Sequence, residues 1–269
     1  MKKVYGVIGD PIEHSLSPVM HNAAFEALEM DSIYLAFRVK VKDVEAVLSG
    51  AKTMGMVGLN VTVPLKEKVM DYVKLDPLAR KIGAVNTIDL TTGIGYNTDG
   101  LGVRRALEVR DVQLSGRNVL LIGAGGAARA IAFLLVEEGA DITIANRTKE
   151  RAISLADTIG GGVKGTGLDE LDGLIEGADI LINSTTVGMH PNVNDSIASS
   201  DMMHPDLVVF DIVYNPIETK LLSEARRAGA KTIDGVMMLV HQGAESFRLW
   251  TAQKPPIEVM ERAVRDALK

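Results

Sequence analysis

The sequence predicts an α/β protein built as two domains. Three observations support this expectation: the length of 269 residues, two separate series of strand-like apolar runs, and helical patterns between those runs. A single core of average size needs fewer residues than this. Strands that alternate with helices are typical of βαβ units, whose parallel sheets are covered by helices. We therefore expect two α/β layer systems, one after the other along the chain.

The first series of apolar runs lies within the first hundred residues. Helical patterns separate its first three runs, as βαβ units require. The four runs are residues 4–8, 34–39, 58–63 and 86–90. This places the first predicted domain at residues 1–100.

The second series follows a predicted helix at residues 99–109 and a polar turn at residues 114–117. Helical patterns again separate the runs, which predicts a second parallel sheet. The runs are residues 118–122, 141–145, 180–183 and 208–212. The second predicted domain therefore covers residues 101–234.

The last segment, residues 235–269, contains two helical patterns and no strand. The patterns cover residues 237–249 and 257–268 and are separated by Pro255 and Pro256. Two such helices can cover either of the two sheets. The pattern alone does not decide between the domains.

The composition is that of a globular protein, with 46% hydrophobic and 24% charged residues. The formal net charge of −6 is spread along the chain without a basic block. Nucleic acid and anionic membranes are therefore not expected as partners, and a small molecule fits better. The absence of cysteine excludes disulfides, thiol nucleophiles and thiolate metal sites.

Targeting and metal signals are also missing from the sequence. No stretch approaches the roughly 20 apolar residues that span a bilayer, and the run at residues 4–8 is too short for a signal peptide. We expect a soluble, cytoplasmic protein. The five histidines lack the spacing of a metal site, so no metal is expected. His14 fits either a solvated loop or a catalytic role.

A glycine-rich turn joins the strand at residues 118–122 to an apolar helix. In such a turn Gly123 can bend the chain tightly, Gly125 lets the backbone approach a pyrophosphate, and Ala128 lets the helix pack closely. The expected phosphate-binding turn consists of Gly123, Ala124, Gly125, Gly126 and Ala127. The pattern predicts a Rossmann-like, doubly wound dinucleotide-binding domain. The alternative is a glycine turn that serves only close packing.

The end of the next predicted strand indicates which dinucleotide is bound. An NAD enzyme usually carries an acidic residue there, whereas this chain has Asn146, Arg147 and Thr148, followed by Arg151. Guanidinium groups form charge-assisted bonds to phosphate oxygens, so these residues favour the 2′-phosphate of NADP. The alternative is that Thr148 is a helix N-cap and the arginines are merely solvated.

Polar residues in the first domain cluster at predicted strand ends and loops, where open α/β sheets bind ligands. The clusters are Ser15 with Ser17, residues 60–66, Asn86 with Thr87, and residues 97–99. Ser17 precedes Pro18 and is a good N-cap candidate, whereas Ser15 has no evident local role. Lys66 is expected at a helix start, where it opposes the helix dipole and so is not placed for stability.

Seven segments, in chain order, resemble the shikimate dehydrogenase family. They are GDPIEHSLSP at 9–18, NVTVPLK at 60–66, GAVNT at 83–87, NTDG at 97–100, NRT at 146–148, NSTTVGM at 183–189 and MLVHQ at 238–242. The resemblance covers essentially the whole chain. It implies an NADP-dependent shikimate dehydrogenase of aromatic amino acid biosynthesis, which reversibly reduces 3-dehydroshikimate to shikimate.

The resemblance also implies a site and a topology. The substrate would lie in a cleft between the two domains, and the C-terminal helices would pack back on the substrate domain. The pair matching Lys66 and Asp99 would carry catalysis and contact substrate. The other substrate contacts implied are Ser15, Ser17, Thr62, Asn86 and Gln242. Their hydroxyls and amides suit a polyol carboxylate.

Further cofactor contacts are implied by the same resemblance, namely Thr185, Ile212, Tyr214, Gly235 and Met238. Tyr214 also fits a turn before a helix, and Gly235 also fits a flexible joint. The chain departs from the family at Met237, where glycine is frequent, and this puts the nicotinamide contacts in doubt.

Two other functions remain compatible with these residues. One is a quinate or dual quinate/shikimate dehydrogenase, although quinate-specific relatives usually favour NAD. The other is a catalytically inactive NADP-binding regulatory protein, which the presence of both Lys66 and Asp99 argues against. A monomer and a homodimer are equally compatible with the sequence.

Overall fold

The computed structural model describes residues 2–269. The backbone divides into two compact units. Unit 1 contains the chain up to Gly102 together with Val240–Ala267, and unit 2 contains Val103–Leu239. The sequence predicted domains at 1–100, 101–234 and 235–269, so its two boundaries fall a few residues before those of the two units. As functional domains, these three ranges stay a prediction.

Strands and α-helices are interspersed along the whole chain. The strands are β1 (Lys3–Gly9), β2 (Ser32–Arg38), β3 (Gly58–Val61), β4 (Lys74–Leu75), β5 (Thr87–Asp89), β6 (Ile94–Tyr96), β7 (Asn118–Ile122), β8 (Asp141–Ala145), β9 (Lys164–Thr166), β10 (Ile180–Asn183), β11 (Val208–Asp211) and β12 (Lys231–Ile233). The α-helices are α1 (Ser17–Ala27), α2 (Val44–Thr53), α3 (Pro77–Ile82), α4 (Asp99–Glu108), α5 (Gly126–Glu137), α6 (Lys149–Ile159), α7 (Leu171–Glu176), α8 (Lys220–Arg227), α9 (Val236–Thr251) and α10 (Ile257–Ala267). Short 3₁₀ turns cover Val41–Asp43, Lys68–Tyr72 and Ser200–Met202.

Unit 1 contains a mixed six-stranded sheet in the order β2-β1-β3-β5-β6-β4. Strand β1 is parallel to β2 and β3, whereas β5 is antiparallel to both β3 and β6. Because β3 ends where the antiparallel β5 begins, the residues after β3 and before β5 share one edge of the sheet. The residues after β1 lie at that edge as well, since Asp10 N donates to Val63 O at 3.0 Å. Most of the predicted substrate residues therefore fall at this edge.

Unit 2 contains a parallel six-stranded sheet in the order β12-β11-β10-β7-β8-β9. Its central strand β10 is buried along its whole length, as expected for a parallel sheet with helices on both faces. The strand order reverses between β7 and β10, which is the crevice where doubly wound sheets bind ligands. The predicted fold class is confirmed.

Helix α10 and the part of α9 from Val240 onward lie in unit 1, as predicted. Helix α10 packs against α1, and α9 lies against the sheet, where Trp250 Nε1 donates to Ile88 O at 3.0 Å. A Cβ atom on Gly58 would stand 2.3 Å from the Trp250 ring, so only glycine permits this approach. Helix α9 is thereby placed close to β3 and β5. No helix within residues 2–269 is both long and apolar enough to cross a membrane.

Candidate active site

Lys66 and Asp99 form an ion pair in unit 1. The Lys66 Nζ to Asp99 Oδ2 distance is 2.5 Å, and the two side chains are 13% and 4% exposed. Lys66 lies in the turn after β3, and its carbonyl oxygen accepts from Val85 N at 2.8 Å. Asp99 is the first residue of α4, where a carboxylate is favoured by the helix dipole. The pair is nearly dry, so its hydrogen-bond partners determine its geometry.

The predicted position of Lys66 at a helix start is wrong. Lys66 precedes a 3₁₀ turn, Lys68–Tyr72, and no α-helix follows within that segment. Five residues in a 3₁₀ turn carry little of an α-helix dipole. The argument that a dipole opposes this cation therefore fails, and the ion pair with Asp99 accounts for the position of the amine.

Asn86 joins Asp99 through its side-chain amide. Its Nδ2 donates to Asp99 Oδ1 at 2.8 Å, and its Oδ1 accepts from Thr98 N at 2.9 Å. A backbone N–H can only donate, so the contact with Thr98 N requires Oδ1 on that side and leaves Nδ2 facing the carboxylate. The orientation of the Asn86 amide is thus determined by the backbone of the neighbouring turn.

Gln242, on α9, completes the cluster of predicted residues. Its Oε1 accepts from Asn86 Nδ2 at 3.4 Å, and its backbone oxygen accepts from Thr98 Oγ1 at 3.0 Å. The structure therefore brings together four predicted site residues, Lys66, Asp99, Asn86 and Gln242. Chain positions that are 156 residues apart meet here.

Asn97 and Thr98 belong to the NTDG segment at 97–100 but were not predicted as site residues. Asn97 Oδ1 accepts from Asp99 N at 3.0 Å, while its Nδ2 donates to Ala84 O at 2.9 Å. Thr98 contacts both Asn86 and Gln242, as described above. Asn97 and Thr98 are buried, and the only sequence signal for them is their adjacency to Asp99.

Ser15, Ser17 and Thr62 lie near the same edge of the sheet but make no hydrogen bond to the ion pair among the described residues. Thr62 follows β3 directly and is half-buried. Ser15 is half-buried in the turn before α1, and Ser17 is 6% exposed. Their hydroxyls are thus placed around the edge, apart from the bonded cluster.

The predicted N-cap role of Ser17 is wrong. Ser17 is already the first helical residue of α1, the N-cap position belongs to Leu16, and no side chain caps the helix. For Ser15, the structure shows one local contact of its side chain, in which Oγ accepts from Ser17 N at 3.4 Å. The contact is long, so it constrains Ser15 only weakly.

The glycine turn of unit 2 has the geometry of a phosphate-binding loop. Gly123 has a φ of 114°, and a Cβ atom there would stand 2.6 Å from Ser184 Oγ, so the turn requires glycine. Gly125 occupies the N-cap position of α5, and nothing lies within 4 Å of where its Cβ would be. The first N–H groups of α5 are therefore open to an anion. Ala128 is fully buried, as close packing of the helix requires.

The remaining residues of this turn differ in exposure. Ala124 is buried, and Gly126 and Ala127 are half-buried at the start of α5.

The arginine edge of unit 2, defined by Asn146, Arg147, Thr148 and Arg151, follows β8. Both arginines are exposed, and neither forms an ion pair within residues 2–269. Asn146 Nδ2 donates to Thr148 O at 2.9 Å. Thr148 occupies the N-cap position of α6, as the alternative interpretation expected, but its side chain makes no capping hydrogen bond. The two guanidinium groups are free to bind an anion.

The other predicted cofactor residues follow the carboxyl ends of β10, β11 and β12. Thr185 lies beside the glycine turn, because a Cβ on Gly123 would stand 3.1 Å from Thr185 Cγ2. Gly235 lies beside Ile212, since a Cβ there would stand 2.4 Å from Ile212 O. Tyr214 is half-buried in the turn after β11. The structure thus gathers these residues at the ligand-binding edge of the sheet.

Met238 and Met237 differ from the other candidates because both pack in the hydrophobic core of unit 2. Met238 is buried and Met237 is half-buried. The side chain at 237 therefore has a packing role within the unit.

Asp211, at the end of β11, was missed by the sequence analysis. It is fully buried, and its carboxylate accepts from Asn183 Nδ2 at 2.9 Å, Val213 N at 3.0 Å and Thr219 Oγ1 at 2.7 Å. Burial raises the pKa of Asp211 to about 6, although these three hydrogen bonds act in the opposite direction. The only sequence signal is an acid at the end of an apolar run. Asn183 Oδ1 in turn accepts from Thr185 N. Asp211 therefore supports part of the sheet edge formed by the residues that follow β7, β8, β10, β11 and β12, which we call the nucleotide edge.

Three family models match consecutive parts of the chain. The substrate binding domain of shikimate dehydrogenase matches residues 7–88. The model described as shikimate / quinate 5-dehydrogenase matches residues 105–236, and the shikimate 5′-dehydrogenase C-terminal domain matches residues 235–265.

Known proteins are similar over the whole chain. A shikimate dehydrogenase (NADP(+)) from Methanococcoides burtonii is 59% identical over 269 residues, which cover 100% of this chain and 99% of that protein. A crystal structure of a shikimate dehydrogenase in complex with NADP+ is 46% identical with a TM-score of 0.94, covering 100% of this chain and 96% of the other. A shikimate 5-dehydrogenase from Thermus thermophilus, solved with NADP(H) and shikimate, is 36% identical with a TM-score of 0.90, covering 99% and 100%.

Proposed function

Because the chain belongs to the shikimate dehydrogenase family, we propose that it catalyses the reversible reduction of 3-dehydroshikimate to shikimate with NADPH. The observation that carries this proposal is the dry ion pair of Lys66 and Asp99, bonded to Asn86 at the ligand edge of unit 1. Ketone reduction needs a proton donor at the carbonyl oxygen, and a positioned amine supplies one.

Lys66 is the proposed acid–base residue. In the direction of reduction, NADPH, when bound, supplies the hydride to the carbonyl carbon. The carbonyl oxygen gains its proton from Lys66 Nζ, and oxidation of the alcohol returns that proton to the amine. Asp99 accepts from Nζ at 2.5 Å and so orients the amine. The pair would act as one unit because neither side chain has much solvent around it.

The substrate is proposed to lie against the hydroxyls and amides at the same edge. Shikimate carries hydroxyl groups and a carboxylate, and groups that both donate and accept can recognise each of its oxygens. We assign the carboxylate to Ser15 and Ser17, and the ring hydroxyls to Thr62, Asn86 and Gln242. Of these, Asn86 is held by Asp99 and the backbone of Thr98, and Gln242 Oε1 lies 3.4 Å from Asn86 Nδ2.

NADP is proposed to bind unit 2. The residues present fit this cofactor on two observations: the glycine turn leaves backbone N–H groups open at the start of α5, and the arginine edge carries two exposed cations after β8. The pyrophosphate would bind the turn, and the 2′-phosphate would bind Arg147 and Arg151. Unit 1 would thus be the substrate domain and unit 2 the cofactor domain. A cytoplasmic location, and a monomer or a homodimer, accompany this proposal as predictions.

The test is an assay of the purified chain with shikimate and NADP, followed at the NADPH absorbance band. We expect turnover with this pair, a lower kcat/KM with NAD, and a lower kcat/KM with quinate. Comparable turnover of both acids would favour a dual quinate/shikimate dehydrogenase, which the second family model names. No turnover, together with intact NADP binding, would overturn the proposal in favour of a regulatory protein.

A further inference from the structure

A chain of buried hydrogen bonds begins at Tyr34 and leads towards the ion pair. Tyr34 OH donates to Asn60 Oδ1 at 2.7 Å, and Asn60 Nδ2 lies 2.9 Å from Ser246 Oγ. All three side chains are buried. Asn60 is part of the NVTVPLK segment but has no role in the proposed chemistry, and Ser246 lies one helical turn after Gln242 on α9.

Thr87 carries the chain onward to Asn86. Its hydroxyl lies 2.7 Å from Ser246 Oγ, 3.1 Å from Asn60 Nδ2 and 2.9 Å from Asn86 Oδ1. Asn86 Nδ2 then reaches Asp99, as described above. Four buried polar side chains therefore connect Tyr34 to the carboxylate of Asp99 without an interruption. They are Asn60, Ser246, Thr87 and Asn86.

The orientation of Asn60 is determined by the backbone. Its Nδ2 donates to Asn86 O at 3.1 Å, and a carbonyl oxygen can only accept. If the amide were reversed, Asn60 Oδ1 would face that oxygen and the two acceptors would repel. Asn60 Nδ2 therefore faces the hydroxyls of Thr87 and Ser246 as a donor, and its two hydrogens are shared among these hydroxyls and Asn86 O.

Two arrangements of the hydroxyl protons satisfy this geometry. In one, Ser246 donates to Thr87 and Thr87 donates to Asn86 Oδ1. In the other, Thr87 donates to Ser246, and Ser246 donates to Gln242 O at 3.0 Å. Both arrangements begin at Asn60 and end on a residue of the proposed substrate site. Hydrogen bonds between buried groups strengthen one another, so the loss of one hydroxyl should weaken the hydrogen bonds that hold Asn86 and Gln242.

We propose that Asn60, Thr87 and Ser246 are positioning residues of the reaction centre. Their hydrogen bonds hold the side chain of Asn86 and the backbone of α9 at Gln242, and through Asn86 they hold Asp99 against Lys66. None of the three contacts Lys66 or Asp99 directly. The inference rests on the proposed function, because it concerns the rate of that reaction.

A purely structural role is the competing explanation, and the hydroxyl of Thr87 allows the two to be separated. Thr87→Val keeps the shape of the side chain and removes the hydroxyl, whereas Thr87→Ser keeps the hydroxyl and removes a methyl group. Thr87 is fully buried, so the serine variant leaves a small cavity and loses stability. Valine is well suited to a buried strand such as β5.

We expect that the loss of the hydroxyl in Thr87→Val lowers kcat, whereas the loss of the methyl group in Thr87→Ser lowers the melting temperature. Thr87→Val should lower kcat with shikimate by about tenfold or more, since small displacements of reacting groups cost large factors in rate, while KM for NADP stays near the parental value. Thr87→Ser should melt at a lower temperature and keep a kcat near the parental value. Equal kcat for both variants, or losses of kcat that follow the melting temperature, would overturn the proposal.

Ser246→Ala gives a second measurement if Thr87→Val does not fold. Alanine is favoured within a helix, so α9 should remain intact. Thr251→Ala is the matched control, because Thr251 Oγ1 makes a similar bond to Phe247 O at 2.8 Å on the same helix but lies outside the chain of hydrogen bonds. We expect a kcat loss for Ser246→Ala alone. A parental enzyme without shikimate turnover would refute the proposed function, whereas an active parent with unaffected Thr87→Val and Ser246→Ala would refute only this inference.

Discussion

The cluster around Lys66 in unit 1 and the nucleotide edge of unit 2 are organised in opposite ways. In the cluster, each side chain is held by another: Lys66 by Asp99, Asp99 by Asn86, and Asn86 by the backbone of Thr98. At the nucleotide edge, Arg147 and Arg151 are exposed and form no ion pair among the described residues. The first region is organised by its own hydrogen bonds, whereas the second carries exposed cations without protein partners among residues 2–269.

This difference has an energetic consequence. Buried polar groups must satisfy one another, so removing one member leaves its neighbours without partners and changes their positions. Exposed side chains lose little when a neighbour changes, and distant substitutions are additive. Substitutions in the cluster should therefore be interdependent and act on kcat, whereas those at the nucleotide edge should be independent and act on cofactor choice.

The largest expected effect comes from the ion pair. Lys66→Met should lower kcat by about 10²–10⁴, the usual contribution of a positioned acid–base group, with NADP affinity near normal. Asp99→Asn should also lower kcat. If the two residues act as a unit, the double variant should be little slower than the slower single variant. Steady-state kinetics with shikimate and NADP check this expectation.

Lys68→Met is the matched control for this experiment. Lys68 is a lysine two residues away that pairs with Asp71 at the surface. Its replacement should leave kcat within a factor of about two, since surface ion pairs contribute little. A folded Lys66→Met protein with the parental rate would refute the catalytic assignment, and additive losses would show that the cluster is not interdependent.

A charge reversal at the nucleotide edge should give the next largest effect. Arg147→Asp replaces a phosphate-binding cation with a carboxylate. A charge-assisted contact contributes roughly 1.5–3 kcal/mol, so kcat/KM for NADP should fall about tenfold or more while that for NAD is unchanged or improved. Lys164→Asp, at the start of β9, tests for a general effect of charge on unit 2. Equal losses for both cofactors would contradict the assignment.

The success of sequence-based prediction also differed between elements. Strands such as β7, β8 and β10 were predicted at their observed bounds because each is an apolar run between turn residues. The strands β4, β6, β9 and β12 have two or three residues, which is too short to show a period. Their pairing depends on neighbours in the fold.

The candidate site shows the same limit more sharply. Lys66, Asn86 and Asp99 were predicted from local patterns to lie at strand ends and loops where ligands bind, but their roles and the place of Gln242 beside them were predicted only by resemblance. Thr87 and Ser246 are 159 residues apart, and a serine inside a helix carries no local signal of a partner. Where local reasoning was applied to Ser17, a hydroxyl before Pro18, it placed the helix start one residue too late. Contacts made by the fold cannot be read from neighbours in the chain.

A pH experiment tests whether the buried carboxyl of Asp211, which lies behind the nucleotide edge, contributes to stability through its raised pKa. Asp211 has a pKa of about 6 in the folded chain, above the ordinary value of 3.8. A raised pKa means that the folded state binds the proton more tightly, so this residue favours folding below about pH 4 and loses that contribution as pH rises to about 6. The free energy of unfolding in denaturant, measured from about pH 4 to about pH 6, should fall less with rising pH for Asp211→Asn than for the parent chain.

The comparison of slopes with pH is the informative quantity for Asp211. Asparagine keeps the size of the side chain, and its Oδ1 can still accept from Asn183 Nδ2 and Val213 N. Its N–H₂ then faces Thr219 Oγ1, which donates to the carboxylate in the parent, so its absolute stability changes as well. Asp206→Asn, at a position outside this hydrogen-bond group, serves as the control. Identical slopes for Asp211→Asn and the parent would show that the carboxyl does not titrate in this window.

The smallest expected effect comes from the two serines, and it tests whether they belong to the interdependent cluster. Ser15 and Ser17 make no bond to the ion pair among the described residues, so each should behave as an independent substrate contact. One hydrogen bond contributes about 1 kcal/mol, which predicts a rise of about fivefold in KM for shikimate for Ser15→Ala or Ser17→Ala, with kcat nearly unchanged. Since Ser17 caps no helix, its replacement should leave the melting temperature within the change seen for Ser49→Ala, a surface serine of α2. The double variant measures the coupling between the two serines, because neighbouring groups that share a partner are not additive in general. A lower melting temperature with unchanged KM would assign the serines to the fold of the α1 entry, and a large loss of kcat would place them within the cluster after all.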